Sequence, residues 1–218
     1  MARRTKQEAD ETREALLNAA EQVFLERGVA RASLDEIARV AGCSRGAVHW
    51  HFGDKLGLFL ALDERLLLVQ DEACGELRGG EGCLPLSKME GVITAAMARL
   101  ERDSHRRRLL TIMLQRCEYV DEMAPALERR RKADATMRAL LRQCFEQALA
   151  KGEMAAGWKP DQAAVCLHAL LTGLIMEWLR GDAGFSLSEE VASSLRLFFA
   201  CLTSGGQAAD SSAVSTNA

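Results

Sequence analysis

The stretch Ser33-Leu34-Asp35-Glu36-Ile37-Ala38-Arg39-Val40-Ala41-Gly42-Cys43-Ser44-Arg45-Gly46-Ala47-Val48-His49-Trp50-His51-Phe52 decides how this chain is read. Ser33 with Glu36 three residues later fits a capping box, in which each side chain satisfies a free N–H at a helix start. Leu34, Ile37, Ala38 and Ala41 then fall on one inward face. Gly42-Cys43-Ser44 makes a tight turn, and Ser44 caps a second, very short helix whose inward residues are Val48 and Phe52. Capped helix, glycine turn, capped helix is the spacing of a helix-turn-helix over residues 33–52. Arg45, Ala47, His49, Trp50 and His51 point away from Val48 and Phe52, where they would have no structural purpose. Arginine pairs with guanine O6 and N7, and tryptophan can lie against thymine methyls and sugars in the major groove. The helix starts at Ser33 and Ser44 offer free N–H groups to phosphates.

Working outward, Leu16, Leu17, Ala20, Val23 and Phe24 form one apolar stripe of a preceding helix over about 11–27, stopped by Gly28. Asp54 caps a long fourth helix that runs to about Leu77, and Gly79 to Gly82 reads as a loop. Pro85, Pro125 and Pro160 each stand where a helix can begin, since the first turn does not need the missing N–H. They divide the remainder into helices near 85–101, 104–117, 122–151, 160–181 and 187–203. Strand signals are absent, because aromatic residues make up only 5% and the apolar residues recur at three and four. The expected fold is all-α with about nine helices. A DNA-binding domain over 10–70 precedes a ligand-binding and dimerisation domain over 71–203, and the Ser/Ala/Gly/Asn-rich tail 204–218 is expected to be disordered.

Composition bounds the partners. With 48% hydrophobic and 27% charged residues the chain can bury a sizeable core, and a net charge of −3 excludes a protein that coats nucleic acid by charge alone. DNA contacts must be concentrated in the reading helix and the basic arm Arg3, Arg4 and Lys6. No apolar run is expected to reach the roughly 20 residues of a membrane span, and the polar start is unlike a signal peptide, so a cytoplasmic protein without membrane contact is expected. The seven cysteines show no C-x-x-C pair and no histidines at ligand spacing. Neither a metal site, a cofactor nor a disulfide framework follows from them, and reduced, packed thiols are expected. Cys166 and His168, the nearest thing to a nucleophile and base, are two apart on a helix and face different directions, so no enzyme is expected.

Ser44-Arg45-Gly46-Ala47-Val48-His49-Trp50-His51-Phe52-Gly53-Asp54-Lys55 resembles the TetR-family signature S-R-G-x-x-Y-x-H-F-x-x-K. The opening Met1 to Ala9 with Glu11-Thr12-Arg13 is similar to the multidrug-efflux repressors of that family, the AcrR-like branch. The likeness continues through Arg107-Arg108-Leu109-Leu110, Cys117-Glu118-Tyr119, Glu122-Met123, Gly173-Leu174 and Glu177-Trp178-Leu179. The resemblance implies a ligand-responsive repressor of an efflux-pump operon. It implies base contacts from Arg45, Ala47 and Trp50 and phosphate contacts from Ser33, Ser44, His51 and Lys55, with Gly46 in the same recognition turn. His49 departs from the family tyrosine whose hydroxyl reaches a phosphate, which makes that contact weaker or sensitive to pH.

The helix near 160–181 carries an apolar face broader than one core contact requires, and members of the family pair through this helix and the last one. Leu167, Leu171, Leu174, Trp178, Leu195, Phe198 and Phe199 are therefore expected at a homodimer interface, which would set two reading helices about 34–36 Å apart on a near-palindromic operator. Methionines and cysteines gather at helical spacing between the fourth helix and this bundle: Met89 and Met97, Met113 and Cys117, Met137 and Cys144. Polarisable, flexible side chains suit a pocket of many shapes. With Leu66, Leu67, Leu141 and Leu174, and with Asp63 and Gln70 (beside Gln115 and Glu118) to orient a ligand, they are the expected site of an apolar or cationic small-molecule inducer. The competing expectation is a redox-sensing repressor of the same type, acting through Cys43, Cys74, Cys83 or Cys117.

Overall fold

The computed structural model describes residues 6–79, 82–155, 157–181 and 184–204, apart from the side chains of Leu68, Val69 and Gln70. Nine α-helices run through them: α1 (Lys6–Arg27), α2 (Leu34–Val40), α3 (Arg45–Phe52), α4 (Lys55–Leu77), α5 (Leu86–Arg102), α6 (Ser104–Gln115), α7 (Ala124–Ala150), α8 (Pro160–Arg180) and α9 (Leu187–Thr203). Arg3, Arg4, and the tail from 205 on lie outside the described residues.

Short polar side chains set the helix starts by accepting from otherwise unpaired N–H groups. Ser33 accepts from the Glu36 amide and Ser44 from the Ala47 amide, each at 3.2 Å. Asp54 accepts from Gly57 at 2.8 Å and Asp103 from His105 and Arg106 at 3.0 Å. Pro160 opens α8 and Pro125 sits in the first turn of α7. That helix is entered through a 3-10 turn, Asp121–Met123, with Asp121 at φ 48.

The expected loop at 79–82 is instead a minimal antiparallel hairpin, β1 (Arg78–Gly79) with β2 (Gly82–Cys83). No local strand propensity produces it; α7 holds it from outside. The Cys83 amide donates to Gln147 Oε1 at 2.9 Å, and a Cβ on Gly82 would come within 2.7 Å of that same oxygen. Cys83 is also joined to Cys144 of α7 by a disulfide, which corrects the expectation that all seven cysteines are reduced. A spacing of 61 residues gives no sequence signal, because only the docking of the hairpin brings the two together. Cys43, Cys74, Cys117, Cys166 and Cys201 are free thiols.

Two apolar cores result. The first joins α1–α4 around Leu16, Phe24, Ile37, Val48, Phe59 and Leu62, and it also takes in Leu109, Ile112 and Met113 of α6 and Met123 and Ala126 at the start of α7. The second packs α5, α7, α8 and α9 around Met89, Phe145, Leu167, Leu187 and Leu195. A polar tie reinforces the first: Glu21 of α1, 4% exposed, meets His105 Nδ1 at 2.9 Å and the Arg108 guanidinium of α6.

The expectation that no apolar run is long enough to span a membrane is also corrected. Pro160–Arg180 is long and apolar enough, with a mean hydropathy of 1.4 over its best window. In this fold it packs between α7 and α9, and only 28% of that window is buried within the chain. The helix combines one stripe that fills the core with a second that faces outward, and both are apolar.

Candidate DNA-reading face and ligand cavity

α3 is anchored by Val48, which is fully buried, and by Phe52, over whose ring the Arg13 guanidinium sits 5.5 Å from the centroid. Gly53 ends the helix at φ 77, and α4 starts so close behind that a Cβ on Gly57 would lie 2.0 Å from the Phe52 carbonyl oxygen. Only glycine permits that approach. The orientation of α3 is thereby fixed to the first turn of α4, a role for Gly57 that periodicity does not reveal.

The outward side of α3 carries Arg45, Gly46, His49 and Trp50, with Ser33 and Ser44 exposed at the two helix starts. Trp50 is 73% exposed, a costly position for the largest side chain unless something covers it. Arg45 is also exposed and lies 3.0 Å from Asp35 of α2. His49 Nδ1 donates to the Gly53 carbonyl at 2.6 Å. With that nitrogen engaged, a neutral ring offers only an acceptor at Nε2, and only the imidazolium offers a phosphate a second donor.

Three residues differ from the expected outward set. Ala47 is half-buried and packs on the first core. His51 is half-buried with its ring edge-on to Trp50 at 4.4 Å, so it supports the tryptophan. Lys55 turns inward: its side chain is only 15% exposed, and its ammonium lies 3.3 and 3.5 Å from the Ala30 and Ala32 carbonyls and 3.0 Å from the Glu122 carboxylate. A long side chain at the start of α4 reaches the loop before α2 and the turn before α7 more readily than the DNA face, which is the physical reason for this correction.

Behind α4 lies a cavity of about 290 Å³, walled by α4, α5, α6, α7 and α8. Asp63, Leu66, Leu67, Met97, Met113, Met137 and Leu141 of the expected set line it. Met89 and Cys144 do not; they are fully enclosed in the second core. Cys117 packs against the first core, where burial pushes its thiol up to about 11, and Leu174 is half-buried against the second. The Gln70 side chain lies outside the described residues. Helical spacing places these residues on inward faces without telling cavity wall from filled core, because that depends on which neighbouring helix stands opposite.

The cavity wall also holds polar residues that periodicity did not single out: Glu76, Arg106, Arg130, Asp134, His168 and Thr172. Asp63 lies 3.1 Å from Arg129. Burial raises its carboxyl above the ordinary value, against the lowering influence of Arg129 and Arg130. His168 Nε2 is 3.8 Å from Asp134, and burial depresses its basicity more than Asp134 restores it.

Four of the expected dimer residues are enclosed within one chain. Leu167 and Leu195 are fully buried, and Trp178 and Phe199 only 7% exposed, all within the second core of one chain. Leu171 lines the cavity, and Leu174 and Phe198 are half-buried against the core. Facing outward are Val165 (56% exposed) and Leu197 (70%), beside the small residues Cys166, Ala169 and Gly173 on α8 and Ala200 and Cys201 on α9.

A capped helix-turn-helix on a helical body with a separate apolar cavity defines a ligand-controlled DNA-binding regulator. Residues 16–62 match the family of bacterial regulatory proteins of the tetR type, and residues 84–203 match the C-terminal region of MAATS-type transcriptional repressors. The chain belongs to the TetR family. It is 43% identical over 185 residues to the transcriptional repressor BepR of Brucella suis, covering 85% of this chain and 88% of BepR. The crystal structure of NalD, the secondary repressor of the MexAB-OprM multidrug efflux pump in Pseudomonas aeruginosa, superposes with a TM-score of 0.82 at 34% identity, covering 91% of this chain and 98% of NalD. SmeT of Stenotrophomonas maltophilia in complex with triclosan gives 0.76 at 28% identity, covering 89% and 93%.

Proposed function

We propose that this chain is a cytoplasmic repressor of a multidrug efflux operon, released from a near-palindromic operator when a small apolar or cationic molecule enters the cavity. The observation that carries this reading is the double role of α4. Its first turn is fixed to the reading helix through Gly57 and Phe52, while Asp63, Leu66, Leu67 and Leu77 further along form a wall of the cavity. A ligand that favours a different tilt of α4 therefore displaces α3. Arg45 and Trp50 contact bases, with Arg45 exchanging Asp35 for a guanine edge, and Ser33 and Ser44 hold phosphates. Two copies pair through the exposed stripes of α8 and α9, which include Val165 and Leu197, and this doubles the contacts.

Fluorescence anisotropy of the purified protein on the DNA upstream of its own gene, with and without a panel of antimicrobials at fixed salt, tests the reading. Tight binding released by at least one compound is expected. Arg45→Ala should weaken operator binding by about 1–3 kcal/mol per half-site, the worth of a bidentate guanine contact. An unchanged affinity in Arg45→Ala would remove α3 from the DNA interface. By linkage, operator DNA must weaken ligand binding by the same factor that ligand weakens operator binding.

A further inference from the structure

His49 stands on the outward side of α3, four residues after Arg45 and next to Trp50, and it is exposed. Residues four apart share a helix face. The helix has eight residues, a length of about 12 Å at 1.5 Å per residue, against a major groove about 12 Å wide. Where Arg45 in the first turn meets base edges, a side chain one turn further on has reached the wall of the groove, which is made of phosphates.

The ring has one tautomer there. Nδ1 lies 2.6 Å from the Gly53 carbonyl oxygen, and a carbonyl oxygen only accepts, so Nδ1 carries the proton. The neutral ring is left with a lone pair at Nε2, which repels a phosphate oxygen. The other tautomer would donate from Nε2 without taking up a proton, but it would set two lone pairs against each other at Gly53. The charged groups of the elements packed around α3 are engaged elsewhere. Arg45 and Asp35 of α2 pair with each other at 3.0 Å, and Glu36 pairs with Arg27 at 3.3 Å. Arg13 of α1 sits over the Phe52 ring, Asp54 caps α4, and Lys55 turns to Glu122. His51 lies edge-on to Trp50, and Arg39 is exposed near the end of α2. Among the described residues no carboxylate lies within ion-pair distance of the His49 ring, so the anion that would hold an imidazolium has to come from outside the chain.

We propose that His49 holds an operator phosphate only as the imidazolium, so that each protomer takes up a proton when it binds DNA and acid tightens the repressor on its operator. This rests on the DNA-reading role of α3 given above and adds a proton to it. Nδ1 keeps its bond to Gly53, and the proton taken from solvent sits on Nε2, which then donates to the phosphate in a charge-assisted bond. By linkage, protonation strengthens operator binding by the same factor by which the operator strengthens protonation. The phosphate favours the charged ring, so the contribution is fully present below the pH at which the free ring titrates and is lost as pH rises through the higher DNA-bound value. Histidine titrates near neutrality, which puts the change within the physiological range.

Fluorescence anisotropy on the DNA upstream of the gene, at pH 6 and pH 8 and fixed salt, compares the full chain with His49→Phe and His49→Tyr, with thermal melts to report that each is folded. The full chain should bind at least about tenfold tighter at pH 6 than at pH 8. His49→Phe, which has no donor, should bind at both pH values within about threefold of the full chain at pH 8. His49→Tyr, whose hydroxyl donates without a charge, should bind tightly with less than about threefold change between them. His51, His105 and His168 are common to all three proteins, so the difference belongs to His49. Proton–nitrogen NMR correlation of the free protein at pH 8, with the His49 signal assigned by its loss in His49→Phe, should show the proton on Nδ1. An equal pH response in the full chain and either variant, no pH response in the full chain, or a neutral ring protonated on Nε2 overturns the proposal. Arg45→Ala scores the underlying reading separately: binding lost at both pH values, in a protein whose full chain is insensitive to pH, keeps α3 on the DNA and rejects the proton. Operator binding by the full chain at neither pH overturns both.

Discussion

Lys55 opens α4 with its ammonium 3.0 Å from the Glu122 carboxylate, which stands in the turn that leads into α7. The DNA-reading head and the body are thus joined by an ion pair at the base of the helix that walls the cavity. Its other partners, the Ala30 and Ala32 carbonyls, tie the loop before α2 into the same cluster.

Lys55→Met should therefore act on stability more than on electrostatics with DNA. Removing a largely enclosed ammonium from two carbonyls and a carboxylate is expected to cost about 1–3 kcal/mol in denaturant unfolding. The slope of log affinity against log salt should stay unchanged. Loss of a phosphate contact would instead reduce it by about 0.9 per protomer, and that outcome would place Lys55 on the DNA.

Leu197→Glu and Leu195→Ala separate the dimer face from the core, although the two positions are two residues apart on α9. Light scattering should show that Leu197→Glu, at a position 70% exposed, shifts the protein towards monomer with its melting transition preserved. Leu195→Ala, at a fully buried position, should lose about 2–5 kcal/mol of stability. The reverse pattern would restore the expectation drawn from periodicity.

His168 gives stability a definite pH dependence. Its basicity is depressed in the folded chain, so the unfolded state takes up the proton first as pH falls. The contribution is fully present above the ordinary histidine value of 6.5 and is lost as pH falls through the folded value. Urea melts at pH 7 and pH 5 should show a larger loss for the natural chain than for His168→Leu. Equal losses would mean that His168 is not desolvated.

The Cys83–Cys144 disulfide closes a loop of 61 residues and fastens the hairpin after α4 to α7. Dithiothreitol, or Cys83→Ser, should lower stability by about 2–4 kcal/mol. Operator affinity is expected to stay within about twofold, because both cysteines lie in the second core, away from α3. A large change in affinity on reduction would favour the redox-sensing alternative.

Sequence alone determined whatever depends on neighbours along the chain. The caps at Ser33, Ser44 and Asp54, the inward Val48, the outward Arg45 and Trp50, and the all-helical class follow from spacings of three and four and from the chemistry of helix starts. Tertiary structure decided whatever depends on which helix stands opposite. It turned Lys55 from the DNA towards Glu122, brought Cys83 to Cys144, and separated Met97 at the cavity from Met89 in the core. On α8 and α9 it buried Leu167 and Leu195 and left Val165 and Leu197 exposed. Periodicity fixes that a helix has an apolar face; when the face is wide enough for two contacts, only packing volume settles which part the chain keeps for itself.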